Sequence, residues 1–417
     1  MIARRELAAV RKLLNAEDWD TVSQGVERII AADDPELMAL MREGVHADSY
    51  QLYWDKDAEL VKRVRYRFRL SVALRLLVAD GALQQHERLV INHCAPKTQL
   101  KPLAALPALR NVSLTLTGVH ASLNLLKPLS KLSELYLKAE EGHKLTRLAP
   151  LRTFKRLEAL SLDGFSELTD LSPIQKLTGL RRLSLRDCER LQDLSPISSY
   201  ADLQLLYLEA LPAVTDLSPL RAFSSLQTLV LECLAPNVSF APVADLSALT
   251  RLEFLSNRLT DVSFLRGMTA LKTLRIRWAY GGFTLAPLVG LGALEALDLE
   301  NSDLADLSPL TTLPRLRQLT LHDLQSLTDF SSMSGLVGLE SLYISAAPHL
   351  TDLSCLRGLA ALQHFMLASD VIDDVTPLVD LPALEEVHLM SCHGLPQSLR
   401  QEFSGEARIR TLKKRLA

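Results

Sequence analysis

The chain has 417 residues, is 48% hydrophobic and only 5% aromatic, and carries a formal net charge of -3. Near-neutrality argues against a dedicated nucleic-acid or polybasic membrane protein, and the length suits several ordinary domains or one elongated array. The cysteines Cys94, Cys188, Cys233, Cys355 and Cys392 are scattered without a C-x-x-C pair, which predicts reduced, buried thiols rather than a disulfide framework or a zinc site.

Residues 1–85 read as a small all-α domain. Leu7, Val10 and Leu14 share one helical face, a second helix follows Asp20 and Thr21 through Val26 and Ile29, and Asp34-Pro35 starts a third that stops at Gly44. A longer helix is predicted from about Ala58 to Val78, although the alternation in "RVRYRFRL" also permits a strand. That segment carries Lys62, Arg63, Arg65, Arg67 and Arg69, the one candidate surface for nucleic acid or acidic lipid. Charges from Arg4 onward deny the N-terminus the apolar core of a signal peptide, and no later segment approaches the ~18 apolar residues of a membrane span. A cytoplasmic protein is the expectation.

From Leu109 to Leu384 the pattern L-x-x-L-x-L recurs in 13 units, mostly 22 or 23 residues apart and once 25. A weaker copy begins at His86 (His86, Leu89, Ile91). In "LRRLSLRD", Leu183 and Leu185 alternate with Arg182, Ser184 and Arg186, so period two puts leucines inside and polar residues outside. One unit cannot bury its apolar face alone, whereas stacked units make a continuous core. The shorter units differ at a polar corner, as in Asn257-x-Leu259 against Cys188-Glu-Arg-Leu191, so the length variation leaves the core register intact.

The segment D-L-S-P-L follows most strands, with Asp at 170, 193, 216, 261, 306, 329, 352 and 374. Serine before proline is a helix-start signature, its hydroxyl placed to cap free N–H groups, and the Asp is placed for an Asx-type turn just upstream. A column of carboxylates for Ca²⁺ is the weaker reading, because calcium needs several oxygens converging on one point and here they are spread one per coil.

Over residues 86–393 these units resemble the leucine-rich repeat family, and the D-[LIV]-S-P-L segment looks most like its bacterial internalin-type subclass. The resemblance implies an α/β repeat solenoid: a curved array with a parallel β-sheet on the concave face, short helical turns on the convex side, and a role in binding other proteins. The chain departs from secreted internalins in lacking a recognisable signal peptide and wall anchor and in its N-terminal region. A helical cap and basic tail, "RIRTLKKRLA", are expected over 394–417.

Binding residues are expected at outward strand positions. In chain order these are Arg182 and Arg186, then Tyr207, Glu209 and Glu232, then Arg251 and Glu253. Next come Arg275, Arg277, Asp298 and Glu300, with Trp278 and Tyr280 on the rim where Gly281-Gly282 break the repeat's corner. Later coils offer His322, Tyr343, His364, Met366, Glu386 and His388. Neighbouring charges that merely compensate one another are the plainer account of the central residues. No P-loop, H-E-x-x-H, G-x-S-x-G or C-x-x-C is present. The sequence therefore predicts a monomeric, non-enzymatic scaffold or adaptor with no cofactor or metal. The alternatives are a nucleic-acid- or membrane-associated regulator and a secreted bacterial effector that binds a host protein.

Overall fold

The computed structural model describes nearly all of residues 83–397, with short breaks at 95, 97, 121, 141–143, 256–258, 260, 279–283 and 301–302, and isolated pieces of 1–82 and 398–417. Most of the predicted N-terminal helices, together with Lys62, Arg63, Arg67, Arg69 and Tyr280, lie outside the described residues. Chain contacts divide the protein into two compact units, 1–200 and 201–417.

In the first unit, short helical pieces bury Val10 and Ile29. The long helix predicted over 58–78 is not continuous: β1 (Val45–His46) pairs antiparallel with β2 (Arg65–Tyr66). Alternation of Val, Tyr and Phe with arginine suits a pleated strand, and at Arg65 this period-two signal prevails over the helical one.

Five parallel strands follow among the described residues of this unit: β3 (Arg88–Cys94), β4 (Asn111–Leu116), β5 (Glu134–Ala139), β6 (Ala159–Asp163) and β7 (Arg182–Arg186). The second unit has nine: β8 (Leu205–Leu211), β9 (Thr228–Leu234), β10 (Arg251–Leu255), β11 (Thr273–Arg277), β12 (Ala296–Glu300), β13 (Gln318–His322), β14 (Ser341–Ser345), β15 (His364–Ala368) and β16 (Glu386–Met390). Each predicted repeat supplies one strand. A last short strand, β17 (Ala407–Arg408), runs antiparallel to β16 where a helical cap was expected.

Register explains the core. Most strands bury alternate residues, with runs of three buried residues in β9 and β10, and the buried positions stack coil upon coil. The coil that begins at Leu180 buries Leu183, Leu185, Cys188, Leu191, Leu194, Ile197 and Tyr200, each at most 1% exposed. Full burial of a leucine is worth roughly 1.5–3 kcal/mol, so a coil contributes through neighbours on both sides. The Tyr200 hydroxyl is satisfied by donating to the Ile174 carbonyl at 2.7 Å.

The return side of most coils is a short 3₁₀ turn, such as Ser195–Ser199 or Ser308–Thr312. Here the expected cap is corrected. Where an aspartate precedes it, the serine hydroxyl caps no N–H; it donates to the aspartate, as Ser195 Oγ does to Asp193 Oδ2 at 2.8 Å. Asp193 Oδ1 in turn accepts the Ser195 N–H at 2.7 Å. The same clasp joins Asp216 to Ser218, Asp261 to Ser263, Asp306 to Ser308 and Asp374 to Thr376. The aspartate is thus the cap, and proline, where present, follows in the first turn where its missing N–H costs nothing. In two coils that lack the Asp, Ser239 and Thr284 take its place, accepting the N–H of Ala241 at 3.4 Å and of Ala286 at 3.3 Å.

Candidate functional site

The strands leave one face of the sheet open, and one-to-one register sorts its outward side chains into rows. In the second unit one row runs Glu253, Arg275, Asp298, Thr320, Tyr343, Met366, His388, and the next runs Arg277, Glu300, His322, Ser345, Ala368, Met390.

The central residues named from sequence are joined by charge. Glu253 is only 6% exposed, because arginines cover it from two sides. Arg251 Nε donates to Glu253 Oε1 at 2.6 Å and Arg275 Nη1 to Glu253 Oε2 at 3.2 Å. Arg275 Nε also donates to Asp298 Oδ2 at 2.6 Å. Burial opposes charge on Arg275, but the Asp298 and Glu253 carboxylates prevail and push its pKa above the ordinary arginine value. Arg277 does not join this clamp; its Nε lies 2.6 Å from Glu300 Oε2.

Elsewhere the named residues form smaller groups. Arg182 Nη2 reaches Glu134 Oε1 at 2.5 Å, and Tyr136 and Asn111 donate to the same carboxylate. Arg186 stands opposite Asp163 on β6. Tyr207 donates to Glu232 Oε2 at 3.1 Å, while Glu209 lies across from Glu232, two carboxylates side by side. Trp278 is 42% exposed just after β11. Its φ of 63° is left-handed, so the sharp corner falls on the tryptophan itself, and its N–H extends the ladder to the Glu300 carbonyl at 2.9 Å.

A second feature lies at the ends of β13–β16. His322, Gln325, Tyr343, Ala346, Ala347, Pro348, Ala368, Asp370, Val371 and Ser391 help to line a groove of ≈ 520 Å³. The His322 and Tyr343 rings stack at 6.5 Å with 16° between planes, and His322 Nδ1 meets the buried Ser345 hydroxyl. Reading the strands named His322 and Tyr343, but the floor is made by small corner residues that carry no chemical signature. Cys233 likewise departs from expectation, since it is exposed while Cys94, Cys188 and Cys392 are buried. Among the described residues, no group of three or more His, Cys, Asp or Glu is arranged to hold a metal ion, and no helix is long and apolar enough to cross a membrane.

Stacked coils, a parallel sheet in one-to-one register and capped return turns define a leucine-rich repeat solenoid of the internalin-like form. Among solved structures, the chain is similar to an internalin, InlF, from Listeria monocytogenes: 22% identity, 91% of this chain and 96% of that one covered, and a TM-score of 0.59. It is also similar to a leucine-rich repeat protein of Leptospira interrogans, at 18% identity over 78% of this chain and 83% of that one, with a TM-score of 0.57. No protein-family model and no curated protein matches the sequence.

Proposed function

We propose that this chain is a non-enzymatic, protein-binding scaffold whose partner lies across the open face of the sheet. The observation that carries the reading is the pair of outward rows: side chains, half-exposed apart from the buried Glu253 and Ser345 and fixed in register by consecutive strands, change chemistry from charged at β10–β12 to aromatic, histidine and methionine at β13–β16. Rigid elements that present a graded polar and aromatic surface suit recognition of a protein, where aromatic and arginine anchors dominate binding energy. The return face is already engaged in its own turns through the aspartate clasps. Five cysteines, none in a disulfide, favour a reducing compartment.

Site-specific photo-crosslinking in native lysate tests the reading. A photoreactive residue at Ser184 or Thr320 on the open face is expected to give discrete protein adducts, while one at Ser198 or Thr312 on the return side gives none. Equal adducts from both sides refute the proposal.

A further inference from the structure

The central and C-terminal parts of the second unit's open face differ in one respect. At β10–β12 every carboxylate of the ladder has an arginine against it: Glu253 has Arg251 and Arg275, Asp298 has Arg275, and Glu300 has Arg277. From residue 318 to 397 the sequence carries ten Asp and Glu but a single lysine or arginine, Arg357. The groove lies within this acidic stretch. Its acidic wall is Asp370, whose side chain is 75% exposed and bound to His393 at 2.6 Å. Its apolar part is Ala347, Pro348 and Val371, the last 41% exposed, and the stacked His322 and Tyr343 rings form another side.

Small residues at left-handed corners, Ala346 and Ser391, are among the lining of the groove. An apolar slot bordered by the exposed Asp370, in a stretch with a single lysine or arginine, fits a side chain that is apolar in a neighbourhood that is basic.

We propose that this groove docks a Lys/Arg-rich segment of the partner protein, with one apolar side chain entering between Tyr343 and Val371 and the flanking cations facing Asp370. The inference rests on the sheet face being a protein-binding surface and names where and by what chemistry it binds.

Fluorescence anisotropy with the full chain tests it, using three labelled peptides: Lys-Lys-Phe-Lys-Lys, Lys-Lys-Ser-Lys-Lys and Glu-Glu-Phe-Glu-Glu. The first is expected to bind saturably, the second about fivefold or more weakly, which is about 1 kcal/mol, and the third not at all. Val371→Ser and Asp370→Asn are each expected to weaken the first peptide about fivefold, and Arg221→Ala, on the return side, leaves it unchanged. Equal binding of the serine and phenylalanine peptides overturns the proposal, as does indifference to both groove variants. Two other occupants are read in the same series. If replacing Lys413, Lys414 and Arg415 by Gln tightens the first peptide about tenfold, the chain's own basic tail fills the groove and the partner reading falls. If sedimentation finds a dimer that Val371→Ser dissociates, a second copy fills it, with the same consequence. Peptide failure with the Thr320 and Ser184 adducts intact removes the groove alone, whereas loss of those adducts removes the scaffold reading and this inference with it.

Discussion

Arg275 donates to Glu253 across neighbouring strands at 3.2 Å, and Glu253 is the one carboxylate buried among the described residues. The pairing belongs first to stability. A buried carboxylate that loses a partner keeps its desolvation penalty, so breaking a fully buried pair costs about 3–5 kcal/mol. Arg275 is 35% exposed at its side chain, which screens the interaction and lowers the expected cost of Arg275→Met to about 1–2 kcal/mol. Combining it with Glu253→Leu should restore part of that loss, because the orphaned charge goes too. Urea unfolding of the two single variants and the double variant gives the coupling, and strictly additive losses would show that the clamp is only a surface pair.

Gly164 makes a sharper case at a single atom. Its φ is 78°, and a Cβ placed on it would lie 2.2 Å from the Ala139 carbonyl oxygen. Other coils put Asp187, Ala210 and Cys233 at left-handed corners, so positive φ alone does not demand glycine here; the close backbone approach does. Gly164→Ala is expected to cost about 1–3 kcal/mol. At Gly267, with φ of 86° and no atom within 4 Å of where a Cβ would sit, alanine is expected to cost only about 1 kcal/mol. Equal losses of unfolding free energy in the two variants, measured by urea titration, would refute the steric argument.

These residues mark what could be read in advance. The leucine register was legible because two periods, two along the strand and about 23 along the chain, constrain the same side chains. The adjacency of Glu253, Arg275 and Asp298 followed from that register, but the burial of Glu253 did not, since it depends on how two arginines fold over it. The Asx turn at Asp193 was read from sequence, but the Ser195 hydroxyl was misassigned as a cap, because either oxygen can cap a turn and only geometry decides. Left-handed corners at Asp187, Cys233 and Trp278 share no side-chain property, and the groove is lined in part by the small residues Ala346 and Ala347. A missing side chain leaves no motif. At Arg65–Tyr66 two periods competed and the helical reading lost.

The aspartate clasps make stability depend on acid. The backbone N–H of the serine two residues on holds Asp216, Asp261 and Asp329 below the ordinary aspartate value of 3.8, and at Asp352 the Ser354 hydroxyl does so first. A carboxylate whose pKa is depressed by folding stabilises the fold fully above its unfolded value and loses that contribution as pH falls through the folded value. The melting temperature should therefore be flat with respect to these groups above about pH 5 and fall progressively below it. Replacing Asp216, Asp261, Asp329 and Asp352 together by Asn keeps a side-chain acceptor but removes the titration. The variant's acid limb should be shallower than that of the wild type, and an unchanged limb would place acid sensitivity elsewhere.

The five thiols should separate by reactivity as well as by position. Burial pushes Cys94 up to about 11, Cys188 up to about 12 and Cys355 up to about 11, and it raises Cys392 as well. The thiolate is the nucleophile, so these four are suppressed both by charge state and by access. Cys233 is exposed at a left-handed corner with φ of 48°, near the end of β9. Iodoacetamide under native conditions at about pH 8 is expected to label one thiol per chain, and Cys233→Ser should abolish that label. Intact-mass spectrometry and peptide mapping follow it directly. Comparable labelling of Cys94 or Cys188 would mean that the coils carrying them open on the timescale of the reaction, and would place the least stable part of the array there rather than at its corners.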